Sequence, residues 1–288
     1  MYAANFDYYR PTTVAEAVEL LGKHKDAKVL AGGHSLLPAM KLRASAPAAL
    51  VDIGRIKGLA GIQATGTALK IGALTTHAAI AASDAVKKNC PILAEAAAQI
   101  GDTQVRNRGT IGGSLAHADP AADFPTVITT LGATLTATGP KGNRDIPAAD
   151  FFKDLFTTAL GPDELLTSIS VPTYGAGTGG AYLKHRHPAS SYVVVGIAAL
   201  VTLKGGKCDN ASLVVGGVTA KPTRCAAAEN ALKGKAADDA TIAAAAAKVA
   251  EAISDPLSDV YASAEYRTHL ATVMTKRALM TAVERAKG

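Results

Sequence analysis

The sequence predicts an α+β protein of two packed units, and three observations carry that expectation. The chain has 288 residues, about two domains at roughly 150 residues each. Up to Pro172 it mixes short alternating apolar runs with segments of helical spacing, the pattern of strands and helices sharing a unit. After a glycine-rich stretch, Tyr174 to Gly180, strand-like runs come first and helical ones follow, the order of a second compact α+β unit.

The elements follow in chain order. Thr13-Val14-Ala15-Glu16 is a Thr-x-x-Glu capping box, whose two side chains satisfy backbone N–H groups at a helix start. Val14, Val18 and Leu21 continue it at helical spacing. A short apolar run, Lys28 to Ala31, then meets Gly32-Gly33-His34-Ser35, a helical segment Leu36 to Leu42 and a strand-like Leu50 to Ile53, making a βαβ-like opening. Between Gly58 and Pro172 the strand candidates are Ala68 to Gly72 and Leu165 to Val171, and the helical ones Ile92 to Ile100 and Pro120 to Leu131. Tyr174 to Gly180 has the composition of a flexible linker and is the best boundary. Beyond it lie strand-like Ala181 to Lys184, Val193 to Leu203 and Ala211 to Val218. Alanine-rich helices follow from Ala226 to Ile253, then a last helix from Glu265 to Ala286 with Leu270, Val273, Met274 and Ala278 on one side.

Composition narrows the function. Hydrophobic residues make up 48% and charged residues 19%, enough apolar surface for a sizeable core. The net charge of +6 is dispersed, with no basic run of five or more, so a nucleic-acid surface is not expected. The longest apolar stretches, such as Tyr192 to Leu203, are shorter than a membrane span of roughly 18 residues, and the N-terminus lacks a basic and then apolar leader pattern. The expected location is the cytoplasm. Three cysteines, Cys90, Cys208 and Cys225, without a Cys-x-x-Cys, cannot supply the four thiolates of an iron–sulfur cluster.

Two segments carry chemistry. Ala31-Gly32-Gly33-His34-Ser35 follows a strand and precedes a helix, and Gly109-Thr110-Ile111-Gly112-Gly113-Ser114 precedes the polar string His117 to Asp123. Paired glycines let backbone N–H groups turn toward one point and admit a phosphate, and an adjacent hydroxyl can donate to the same oxygens. Either segment alone could be an ordinary tight turn; two of them can flank a diphosphate. Neither has Gly-x-Gly-x-x-Gly spacing or a following Gly-Lys-Ser/Thr, so a Rossmann fingerprint and a P-loop are both absent.

Ala31-Gly32-Gly33-His34-Ser35-Leu36-Leu37-Pro38, with Arg106-Asn107-Arg108-Gly109-Thr110-Ile111-Gly112-Gly113-Ser114 and Asp123, resembles the FAD-binding medium subunits of molybdenum hydroxylases. Within them the chain is most similar to the separate flavin subunits of carbon monoxide dehydrogenase and quinoline oxidoreductase type enzymes, over essentially its whole length. The resemblance implies a two-subdomain FAD-binding fold of the vanillyl-alcohol-oxidase (PCMH) type, residues 1–175 with subdomains of about 1–56 and 57–175. A smaller C-terminal α/β domain, 176–288, completes it.

The resemblance also implies the site. Ala31, Gly32, Gly33, His34, Ser35 and Leu36 fall on one diphosphate loop, and Thr110, Ile111, Gly112, Gly113 and Ser114 on the other. Asp123 matches an acidic FAD contact, Leu166 an apolar one, Lys184 a basic one, and Tyr192 an aromatic partner for the isoalloxazine. Many family members have Asn where this chain has Ser114, which reaches less far. The implied assembly is a dimer of heterotrimers. A large subunit holds the molybdenum–pterin cofactor and a small one holds two 2Fe-2S clusters, whose electrons pass through FAD here to an external acceptor.

Other residues have plain readings beside functional ones. His34 can bond a phosphate or lie on the surface. His117, Asp119 and Asp123 lack a closed-site metal spacing. His185, Arg186 and His187 read as a solvated strand edge, and Tyr192 equally as a core tyrosine. No Ser-His-Asp elbow or reactive cysteine motif is present, as suits a subunit whose redox chemistry belongs to its cofactor. The rivals are a free-standing flavin oxidoreductase acting on a small substrate, which needs an acid or base beside the flavin, and a nucleotide-binding scaffold without FAD.

Overall fold

The computed structural model describes residues 2–288. The capping box forms: Glu16 N donates to Thr13 Oγ1 and Thr13 N to the Glu16 carboxylate. The helix it opens, Val14–Lys23, buries Ala17, Val18 and Leu21 and connects β1 (Asp7–Tyr9) to β2 (Ala27–Leu30). A second helix, Leu36–Lys41, leads to β3 (Ala49–Asp52). The three strands pair in parallel in the order β1-β3-β2. This order puts Ala31 to Ser35 at the carboxyl end of β2, where parallel sheets offer a crevice to ligands.

The next unit is an antiparallel sheet of β4 (Ile62–Ala64), β5 (Ala68–Gly72), β6 (Thr134–Gly139), β7 (Gly142–Pro147) and β10 (Leu165–Pro172), in the order β4-β5-β10-β6-β7. A small hairpin of β8 (Phe152–Asp154) and β9 (Thr157–Thr158) follows β7. Six short helices between His77 and Thr130 are inserted between β5 and β6. Ile80, Ile92, Leu93, Ile111, Leu115 and Phe124 from those helices close on Leu69, Ile71, Leu135 and Ile169 of the sheet, all without solvent exposure. The helix expected from Pro120 begins at Asp123, because Asp119 folds the preceding residues into a turn. Ala121 N donates to Asp119 Oδ1 (2.9 Å) and Ala122 N to Asp119 O (3.0 Å).

The last unit is a four-stranded antiparallel sheet of β11 (Thr178–Arg186), β12 (Val193–Lys204), β13 (Lys207–Gly216) and β14 (Thr223–Arg224), in sequence order. The long helix Ala264–Lys287 packs on it through Ala271, Met274, Ala278, Leu279 and Ala282. The alanine-rich tract divides into Ala226–Leu232, Asp239–Ala247 and a 3₁₀ turn Lys248–Ala252. Gly234 at φ +75° stops the first helix, and Asp238 starts the next by accepting from Thr241 N at 2.8 Å.

The glycine-rich stretch is not a flexible linker. Thr178, Gly179 and Gly180 are the first residues of β11. A Cβ on Gly179 would overlap the backbone of Ala282 and Ala286, and one on Gly180 the Tyr174 hydroxyl. These glycines are there for close approach, not for freedom. Arg285 locks the junction, donating to Gly180 O and pairing with Glu95 of the preceding unit, both at 2.7 Å.

Candidate cofactor site

Loop 1, Ala31 to Ser35, follows β2. Gly33 sits at φ +76°, a conformation in which a side chain is strained. His34 donates from Nδ1 to Gly32 O at 3.1 Å, which ties the loop back on itself. The N–H groups of Gly32, Gly33, His34 and Ser35 have no acceptor among the described residues. Successive unpaired N–H groups of this kind form an anion-binding nest.

Loop 2 is held differently. Thr76 and Thr110 form an isolated bridge, with His77 N donating to Gly109 O and Ile111 N to Thr75 O, each at 3.0 Å. Gly112 N donates to Ala73 O at 2.8 Å and Gly113 N to Thr110 Oγ1 at 3.1 Å. Ser114 N donates to Thr110 O at 3.0 Å. Of the loop 2 amides only that of Thr110 has no acceptor among the described residues, so the groups the loop can turn to a ligand are that amide and the hydroxyls of Thr110 and Ser114. Gly112 is a packing glycine: its Cβ would stand 2.5 Å from Ala73 Cβ.

The two loops meet. A Cβ on Gly32 would overlap the carbonyl oxygen of Arg108 and lie 2.9 Å from Gly109 Cα, and one on Gly113 would lie 3.7 Å from Ala31 Cβ. Two segments about eighty residues apart thus form the walls of one cleft, one offering free amides and the other hydroxyls. A side chain on Gly32 would drive the two loops apart, and the facing amides and hydroxyls fit a dinucleotide diphosphate. Tyr192 is 44% exposed and lies near the Ser35 side chain. Burial, with the nearby Asp119 charge, raises that phenol's pKa.

Asp123 and Lys184 lie against each other. Lys184 Nζ is 2.9 Å from Asp123 Oδ1 and donates to Gln99 O at 3.1 Å, and Tyr182 OH donates to Asp123 Oδ1 at 2.8 Å. Both charged side chains are almost fully enclosed. Burial pushes the Asp123 carboxyl up, while Lys184 and Tyr182 pull it down. Leu166 is buried in β10 beside β6, in the sheet core. None of these three side chains is open to solvent.

His77 is the residue the sequence reading missed. It is 5% exposed beneath Gly109, packs on Phe124 at 5.2 Å, and has a buried Nδ1 without a partner. Burial pushes its pKa down to about 4, helped by His34 and Arg106. Its only sequence signal is the capping threonine in Thr76-His77, which foretells a helix start and nothing about the ring. His117 packs against Phe156 with ring centroids 5.1 Å apart and the rings tilted, and no group of three or more His, Cys, Asp or Glu suited to a metal occurs among the described residues. His185 and His187 border Tyr261, at 6.4 and 4.7 Å. The three cysteines are buried, and burial raises the thiols of Cys90 and Cys225 to about 12.

Comparison with known proteins gives the family. Residues 4–174 match the family described as the FAD binding domain in molybdopterin dehydrogenase. Residues 181–282 match the carbon monoxide dehydrogenase flavoprotein C-terminal domain. The chain is 43% identical over 288 residues to the carbon monoxide dehydrogenase medium chain of Afipia carboxidovorans, covering 100% of both. Among solved structures it superposes on carbon monoxide dehydrogenase from Hydrogenophaga pseudoflava with a TM-score of 0.96 and 43% identity, over 99% of both chains. It matches quinoline 2-oxidoreductase from Pseudomonas putida with a TM-score of 0.94 and 33% identity, over 100% of both. With its two-domain architecture and the full-length likeness, the chain belongs to the FAD-binding medium-subunit family of the molybdenum hydroxylases.

Proposed function

We propose that this chain seats FAD with its diphosphate between loops 1 and 2, and relays electrons from the 2Fe-2S clusters of a small subunit to an external acceptor. The observation that carries the reading is the contact of Gly32 with Arg108 and Gly109, which joins the two loops in one cleft. Bound FAD supplies the chemistry, exchanging electrons singly with clusters and in pairs with organic acceptors. The chain supplies position. The N–H groups of Gly32 to Ser35 donate to phosphate oxygens, and the Thr110 and Ser114 hydroxyls donate from the facing wall. Ser114 stands where many relatives have Asn and reaches a phosphate oxygen over a shorter span. Tyr192 would be the aromatic partner of the isoalloxazine.

Asp123 and Lys184 serve the same site from behind. Their ion pair joins the helix Asp123–Thr130 to β11, so it fixes how the FAD-binding domain and the C-terminal domain face each other. Leu166 supports the floor. The reading divides the chain at 175/176, with subdomains meeting near 56. In a cytoplasmic dimer of heterotrimers, a large subunit would hold the molybdenum–pterin cofactor and the substrate pocket. Carbon monoxide, an aldehyde or an N-heteroaromatic are all compatible with this chain, because the hydroxylated substrate would never touch it.

The test is purification of the native protein. The expected result is a yellow assembly with two further subunits, one carrying molybdenum and the other iron, and one FAD per chain. A colourless chain that binds no added FAD contradicts the reading. Substrate turnover by the isolated yellow chain would favour the free-standing flavin oxidoreductase instead.

A further inference from the structure

Thr76 caps the helix His77–Ala82, its hydroxyl accepting from Ala79 N at 3.2 Å, and so places His77 in the first turn. The isolated bridge between Thr76 and Thr110 sets that turn against loop 2, with His77 N donating to Gly109 O at 3.0 Å. The imidazole packs on Phe124 and on Gly109. Its Nε2–Cδ2 edge faces the Gly109 α-carbon, for a Cβ there would stand 2.6 Å from Nε2 and 2.7 Å from Cδ2. Gly109 has φ −59°, ordinary for any residue, so this position is glycine for the sake of the ring. The same α-carbon also meets loop 1, 2.9 Å from where Gly32 would carry a Cβ. The edge of His77 therefore reaches the junction of the two loops.

Packing alone does not account for an imidazole here. His77 is buried, and its Nδ1 is enclosed with no hydrogen-bond partner. A buried polar atom left unpaired is costly, and an apolar ring of like shape spares that cost. Burial holds the ring neutral, with its pKa pushed down to about 4 and His34 and Arg106 adding to the effect. A neutral imidazole carries one proton. On Nδ1 that proton would be a sealed donor with nothing to accept it. It therefore sits on Nε2, the nitrogen at the loop junction. The positive surroundings that His34 and Arg106 create suit an anionic acceptor there.

We propose that His77 is a further cofactor-binding residue, its Nε2–H donating to a diphosphate oxygen of FAD at the junction of loops 1 and 2. The proposal rests on the FAD reading above and adds a donor that neither loop contains. It gives Gly109 a second reason to lack a side chain, since a Cβ would stand between that N–H and its acceptor. It also explains the unpaired Nδ1: the imidazole is kept for the nitrogen on its other edge.

The test compares the full chain, freed of flavin, with its His77→Phe and His77→Gln variants. FAD affinity is read by quenching of flavin fluorescence and stability by thermal melting. Phenylalanine fills the same space without the unpaired nitrogen, so a packing role predicts unchanged FAD affinity. The donor role predicts affinity at least tenfold weaker in His77→Phe with a melting temperature no lower than wild type. Glutamine, whose amide nitrogen extends to the place of Nε2, is expected to stay within about threefold. In wild-type chain with 15N-labelled histidine, the His77 proton is expected on Nε2. Its resonance is expected to move on adding ADP, which carries a diphosphate, and to stay with riboflavin, which carries none. Wild-type affinity in His77→Phe overturns the proposal, as does equal weakening in both variants. So does a proton on Nδ1, or a resonance that ADP leaves in place; these two readings decide alone should His77→Phe fail to fold. A wild-type chain that holds no FAD refutes the earlier reading, whereas FAD held equally well by His77→Phe refutes only this one.

Discussion

At the scale of single residues, the two glycine pairs do different work. The sequence gives Gly32 and Gly112 the same reason, backbone approach to phosphate. In the structure a Cβ on Gly32 strikes Arg108 and Gly109 of the opposite loop, whereas a Cβ on Gly112 strikes Ala73 beneath its own helix. Gly32→Val is therefore expected to force the two loops apart, so that the flavin-to-protein absorbance ratio of the folded protein falls at least tenfold. Gly112→Val is expected to lower stability by about 1–3 kcal/mol, the usual effect of overpacking a filled core, seen as an earlier thermal transition by circular dichroism. Equal FAD occupancy in folded Gly32→Val protein and wild type would refute the first expectation. The loops themselves were legible, because paired glycines with a hydroxyl are local signals. His77 was not: a buried, unpartnered imidazole under a loop is made by tertiary contacts with Gly109 and Phe124.

At the scale of elements, local chemistry located starts better than ends. The capping box fixed the first helix because its two hydrogen bonds lie within four residues. Apolar spacing predicts one helix from Pro120 to Leu131 because it does not register the turn that Asp119 imposes. The glycines near Tyr174 were read as slack because composition cannot distinguish flexibility from close approach to a helix far along the chain. Asp123 and Lys184 show the same limit, since only folding reveals that they belong to one buried pair joining a helix to β11. Removing one partner strands the other charge, which costs about 3–5 kcal/mol, whereas a matched apolar pair is near neutral. Asp123→Ala is expected to lower the urea midpoint by that equivalent, and Asp123→Leu with Lys184→Met to regain most of it. A double variant no more stable than Asp123→Ala would show that the pair's worth is not electrostatic.

At the scale of the whole molecule, two domains are fastened by the ion pairs Arg285–Glu95 and Lys184–Asp123. No helix among the described residues is long and apolar enough to cross a membrane. The α+β architecture and the second unit's strand-then-helix order were legible in the sequence. The meeting of the two loops at one diphosphate was expected there too; the contacts that make it were not, because loop 2 lies among six helices inserted between β5 and β6. That convergence is the central claim, and a crystal structure of the FAD-loaded chain measures it most directly. The account expects the diphosphate oxygens within hydrogen-bonding distance of the loop 1 amides, Gly32 to Ser35, and of the Thr110 or Ser114 hydroxyl at once. A diphosphate touching only one loop, or FAD bound elsewhere, would contradict it.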